Sequence, residues 1–295
     1  MDLKTFNPNG VGVDNGAYYG LPFTPEEAAL VLVSAPWDVT VSYGAGTALA
    51  PDALIEASTQ LDLYDASAPG LARRHRYGRH RLFAAGGVPQ AAGRCRTGDR
   101  TSRRGGAPDD ERIERRLRRI NEGCAAMNDN IYRQARQWLS QGKVVGLVGG
   151  DHSTPYGLIR AVAEKEGSLG ILHIDAHCDL REAYEGFEFS HASIMFNVLR
   201  DLPQVSKLVQ VACGIIAMPR PKGPLRTGGS LCSIRARSLA PDSRERPGPK
   251  AAAASWTSCP RWFISVSTST DSPSNFVLIR ALPFRAASLL NRWFT

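Results

Sequence analysis

The sequence predicts an α/β protein built on a mostly parallel sheet with helices on both faces. Three observations carry this. Almost wholly apolar runs of eight or nine residues alternate with longer stretches of helical periodicity, the order expected of strand–helix–strand units. The apolar runs lack the in–out alternation of a half-exposed strand, so both of their faces are buried. Clusters rich in His and Asp follow directly after strands, and in such sheets ligands sit outside the carboxyl ends of the strands. The 295 residues are read as one domain, 1–295, with two segments that fit it poorly, 71–110 and 214–295.

In order along the chain, AALVLVSAP (28–36) is a buried strand, and PDALIEASTQLDLYD opens with Pro51 in the first turn of a helix. Residues 111–141 form a long amphipathic helix with Ile113, Leu117, Ile120, Cys124 and Met127 on one face, stopped by Gly142. KVVGLVGG (143–150) is a strand, STPYGLIRAVAEKEG a helix, and SLGILHID (168–175) the next strand. HASIMFNVLRDL is a helix and SKLVQVAC (206–213) a further strand. Prolines at 219, 221, 224, 241, 247 and 249 leave 214–250 without an adequate strand, whereas WFISVSTST (262–270) can pair as one.

The net charge of +8 lies in two blocks: 71–110 holds 10 Arg against 3 acids, and 214–295 holds 12 Lys and Arg against 3 acids. Neither block interleaves aromatic residues with its arginines as stacking platforms for bases would require, so no nucleic-acid partner is expected. The six Cys (95, 124, 178, 213, 232, 259) form no Cys-x-x-Cys pair, which argues against a zinc ribbon or a disulfide framework. No leader of signal-peptide type and no membrane span is expected, and the protein is placed in the cytoplasm.

Three clusters bear chemistry. GGDHS (Gly149–Ser153) follows a strand, and its glycines allow a tight turn that directs His152 inward. In LHIDAHCDLRE (172–182), Asp175, His177 and Asp179 occupy alternate positions. In extended backbone these share one side, and buried carboxylates there call for a cation. FSHAS places His191 at the start of a helix. His173 is expected to turn away from the Asp175 face as a core residue.

GGDHS, DAHCD and SHAS, in this order and spacing, resemble the ureohydrolase family of arginases and agmatinases, as does APWDVTVSYGAGTALAPDALIEAS (35–58). The resemblance implies a three-layer α/β/α sandwich, arginase-like, and two Mn2+ per chain that hydrolyse a small guanidino compound to urea. Carried over by position, His152 and Asp179 bind one ion, His177 the other, and Asp175 bridges them and takes part in catalysis. Zinc or iron would also accept these ligand types. His191 matches the family's active-site His, a proton shuttle or substrate contact, and an intact member would be a homo-oligomer. The loop LREAYEGFEFSHAS lacks the Asn with which arginases hold an amino acid. That favours a decarboxylated guanidine such as agmatine, with Glu182, Glu185 and Glu188 as candidate cation contacts.

The family's second Asp pair, in a segment of the type FDIDGLDP, and the TGTPxxGG that follows it are both missing from 214–295. Back-translated freely and read one nucleotide earlier, VSTSTDS (266–272) permits FDIDGL and RALPFRAA (280–287) permits TGTPVPGG. The C-terminal block, from about Gly214, is therefore expected to be an out-of-frame reading of an ordinary ureohydrolase gene, and 71–110 to share that origin. On that account the literal chain is poorly folded beyond about 213 and inactive. The alternatives are a non-catalytic remnant whose basic tails bind acidic partners and, less well supported, a single-zinc deacetylase of related fold.

Overall fold

A computed structural model describes residues 11–42, 44–61, 77–81, 111–211, 230–234, 261–266 and 278–283. Eight strands form one sheet in the order β2-β1-β3-β8-β7-β4-β5-β6. These are β1 (Leu30–Ala35), β2 (Tyr77–Arg81), β3 (Val144–Gly149), β4 (Leu169–Ile174), β5 (Val205–Val211), β6 (Ser230–Ile234), β7 (Arg261–Val266) and β8 (Leu278–Pro283). All pairings are parallel except those of β8, which runs antiparallel to β3 and β7. The helices are α1 (Ala50–Ser58), α2 (Glu111–Ser140), α3 (Tyr156–Glu166) and α4 (Ile194–Asp201).

Strand alternation distributes the core between two layers of helix. Val31 and Val33 of β1, with Val145 and Leu147 of β3, pack against Met127, Ile131, Ala135 and Trp138 of α2 and against α3. The intervening Leu32 and Val148 face the other way, onto Ile55 of α1 and Tyr18. Strands β1 and β3 are buried on both faces, as their unbroken apolar runs require. Along α2 the buried residues recur every three or four positions, from Ile120 to Leu139, and the helix ends where Gly142 takes a φ of 77°. Gly167 ends α3 likewise, at φ 70° with its N–H donated to the Ala163 carbonyl.

One expectation about the poorly fitting segments is corrected, and a strand in the basic block was not anticipated. The basic block holds a strand, β2, paired in parallel with β1 from Leu30↔Tyr77 to Ser34↔Arg81. The stretch 214–250 also supplies one, β6, which covers the outer edge of β5 from Lys207↔Ser230 to Val211↔Ile234. It falls in 225–240, which contains no proline, so the breakers bound the strand instead of interrupting it. The expected pairing of WFISVSTST is present over Arg261–Val266, with β7 parallel to β4 and Val266 level with Ile174. Residues 212–213 and 267–270, and with them the missing Asp pair, lie outside the described residues.

Candidate metal centre

The GGDHS turn owes its shape to a close approach. A Cβ on Gly150 would lie 1.6 Å from the Trp37 carbonyl oxygen, so only glycine lets the turn cross the 37–40 segment. Gly150 N–H donates to the Ala35 carbonyl and Asp151 N–H to that of Trp37 (2.9 and 2.8 Å). Asp151 then gathers the turn around its carboxylate. Oδ1 accepts from the Ser153 N–H and hydroxyl, and Oδ2 from the N–H and hydroxyl of Thr40 (2.9 and 3.0 Å). Thr40 Oγ1 in turn accepts the His191 N–H at 3.0 Å, and Ser42 Oγ lies 3.2 Å from His191 Nε2. One buried carboxylate thus ties together the two segments that present His152 and His191. The Asx turn from Asp151 to the Ser153 N–H is its local signature; the partner 111 positions away has none.

His152, Asp175 and Asp179 are all buried and meet at one point. His152 Nδ1 lies 2.6 Å from Asp179 Oδ2 and 3.2 Å from Asp175 Oδ2. Burial pushes the His152 pKa down, but the hydrogen bond to Asp179 and the charges of Asp179, Asp175 and Asp151 overcome it, and the result is raised. For Asp175, burial acts upward. The facing His173 ring, the charge of His152 and the His177 N–H outweigh it and bring the pKa to about 2. Two carboxylates against one imidazole leave a net negative charge out of water, a costly arrangement without a cation. Imidazole and carboxylate donors this close together could hold a metal ion.

The geometry departs from simple alternation. Strand β4 ends at Ile174, and Asp179 has a φ of 51°, a left-handed conformation uncommon outside glycine and frequent at functional sites. Its carbonyl accepts the Met195 and Phe196 N–H groups at the start of α4 (3.0 and 3.2 Å), and the turned backbone brings its carboxylate onto His152. His177 points outward, its side chain 42% exposed, with Nδ1 3.6 Å from Asp175 Oδ1. Its N–H donates to that same oxygen at 2.8 Å. Asp175 therefore faces His152 with one oxygen and His177 with the other.

His173 is corrected. It is buried, as expected of a core residue, but it faces Asp175, with Nε2 3.4 Å from Oδ2 and its ring stacked on His152 at 5.0 Å. Positions 173 and 175 are two apart on extended backbone and so share a side. His191 opens a short 3-10 turn, His191–Ser193, half-buried beside the cluster's loop. The side chains of Glu182, Glu185 and Glu188 are exposed. Their loop is nonetheless held firmly. Asn121 of α2 donates to the Gly186 carbonyl and accepts the Glu188 N–H, while Asn197 of α4 donates to the Glu188 carbonyl at 2.7 Å. Among the described residues no helix is long and apolar enough to cross a membrane.

A model of the Arginase family matches residues 28–217. The N(1)-aminopropylagmatine ureohydrolase of Thermus thermophilus is 32% identical over 204 residues, 68% of this chain and 56% of that protein. An agmatinase of Bacillus anthracis is 30% identical over 168 residues, 57% of this chain and 46% of its own length. The chain thus spans about half the length of the curated relatives it matches. The agmatine ureohydrolase of Thermoplasma volcanium shares the fold, with a TM-score of 0.56 at 21% identity over 89% of this chain and 72% of its own.

Proposed function

This chain belongs to the arginase family, and from that premise we propose that it is, by descent, a metal-dependent hydrolase of a small guanidino compound, releasing urea with two Mn2+ per chain. The observation that carries the proposal is the buried meeting of His152, Asp175 and Asp179 at the ends of β3 and β4, with a net negative charge and donors suited to manganese. Relatives named for agmatine and aminopropylagmatine support a decarboxylated, cationic substrate over arginine. The exposed Glu182, Glu185 and Glu188 offer negative charge on the rim of the loop. The reading needs no nucleic acid or membrane and suits a cytoplasmic, oligomeric enzyme.

When bound, the manganese pair supplies water activated as a nucleophile at neutral pH. The chain's own residues divide the remaining tasks. His152 and Asp179 would hold one ion and His177 the other, with Asp175 offering an oxygen to each side. His191 would pass a proton to the departing amine. Ser42 beside its Nε2 and the anchoring of its N–H on Thr40 support this role. The pinned 186–188 backbone keeps the substrate loop from drifting relative to these groups.

A second reading, a non-catalytic remnant, is favoured by one observation: residues 214–295 contain no Asp-x-Asp. Metal analysis together with a urea-release assay on agmatine, arginine and guanidinobutyrate separates the two. Bound manganese with urea from one of these substrates supports the hydrolase. Neither metal nor urea, from the literal chain and from a frame-restored version alike, leaves the remnant.

A further inference from the structure

By proximity alone, His173 joins His152, Asp175 and Asp179 as a fourth ligand, since one donor atom from each lies within 4.8 Å of the others. Gln210 argues against it. The two residues stand directly opposite each other on neighbouring strands, His173 on β4 and Gln210 on β5. Both are buried. Gln210 Nε2 lies 2.7 Å from the Cys178 carbonyl oxygen and 2.9 Å from His173 Nδ1. A carbonyl oxygen can only accept, so the Gln210 atom at that position is the NH2 group and not the amide oxygen. One of its protons serves Cys178. The other meets Nδ1 of the ring, which must present a lone pair to receive it.

A neutral imidazole carries one proton, and with Nδ1 bare that proton sits on Nε2, facing Asp175 Oδ2 at 3.4 Å. A nitrogen bearing that hydrogen has no lone pair left for a cation. We propose that His173 is a positioning residue that orients the Asp175 carboxylate, with its tautomer set by Gln210, and that it is not a metal ligand. Asp175 then has a neighbour at each oxygen: the His177 backbone N–H donates to Oδ1, and the His173 Nε2–H faces Oδ2 at 3.4 Å, an ion-pair distance without hydrogen-bond geometry. Each oxygen keeps a second lone pair for an ion. Partners that orient a ligating carboxylate are the usual second layer of a metal site.

The inference rests on the metal reading of the site only for its consequence. The tautomer itself is read on the metal-free full-length chain by 15N-histidine NMR at neutral pH. The expected spectrum has His173 protonated at Nε2 and bare at Nδ1; the opposite tautomer overturns the proposal. Manganese titration followed by electron paramagnetic resonance then compares His173→Leu with His173→Gln, whose amide NH2 can replace the ring Nε2–H. The leucine variant should bind about 10–100-fold more weakly with the number of ions unchanged, and the glutamine variant should recover most of the loss. Loss of an ion in both variants would make His173 a ligand after all. If the leucine variant does not fold, the glutamine variant and the spectrum still decide. An Nε2–H spectrum in a chain that takes up no manganese counts against the metal reading alone.

Discussion

Replacing Gly150 by alanine should abolish metal binding while leaving a folded protein. The added Cβ would stand 1.6 Å from the Trp37 carbonyl oxygen and 2.5 Å from its carbon, where real Cβ atoms keep at least 3.0 Å. The obstacle is backbone, so no rotamer relieves it, and the turn must retreat by at least 1.4 Å. The Gly150→Ala35 and Asp151→Trp37 hydrogen bonds stretch with it. At about 1 kcal/mol each, with the repacking that follows, the cost is about 2–4 kcal/mol, a fall in Tm of roughly 5–15 °C. The site suffers more, because His152 is carried off a 2.6 Å contact with Asp179 and such constellations tolerate only about 0.5 Å. Gly149→Ala is the matched control. There the nearest atom, at 2.5 Å, is the Thr154 hydroxyl, which can rotate away at the cost of its bond to the Asp151 carbonyl. Thermal melts and manganese titrations of both variants check the reasoning; a Gly150→Ala protein that binds manganese like its parent would refute it.

Other outcomes follow from the same geometry. His177→Ala should remove urea release from the frame-restored protein with little change in Tm, since the side chain is 42% exposed; turnover within a few-fold of the parent would show that His177 is no ligand. The literal chain should bind fewer than two manganese ions and release essentially no urea, whereas a frame-restored version should bind two; comparable turnover from the literal chain, or coding DNA without a frame change, would end the frame account. The raised His152 pKa sets a sign for pH. That contribution to stability is fully present below 6.5 and is lost as pH rises through the folded value. Because manganese must displace this proton, its apparent affinity should rise with pH and binding should release protons; an affinity flat between about pH 6 and 9 on calorimetric titration would contradict this.

The central strands could be read from sequence because burial on both faces forces unbroken apolar runs, as in LVLVSA and LGILHI. Three strands escaped: YGRHR and SLCSI, the outer edges of the sheet, and LIRALP, inside it between β3 and β7. An edge strand has one neighbour and needs no such run, so composition does not betray it. The spacing of Asp175 and Asp179 announced the site, yet alternation was the wrong cause, since a left-handed Asp179 and not an extended strand brings them together. The tie from Asp151 to Thr40 and the pairing of Gln210 with His173 join segments 111 and 37 positions apart. No local pattern encodes contacts of that kind.

The strand order carries a consequence for biogenesis. In the chain β3 and β4 are joined by α3 alone, but in the sheet β8 and β7 stand between them. The two strands at the middle of the sheet are thus translated after all its other described strands. Until residues 261–283 emerge, a nascent chain holds two half-sheets whose facing edges, β3 and β4, have open hydrogen-bonding rows, the condition that invites intermolecular pairing. A change confined to the C-terminal coding region would therefore strike the seam between the halves and not a dispensable margin, and insoluble aggregates would be its first symptom in an expressing cell.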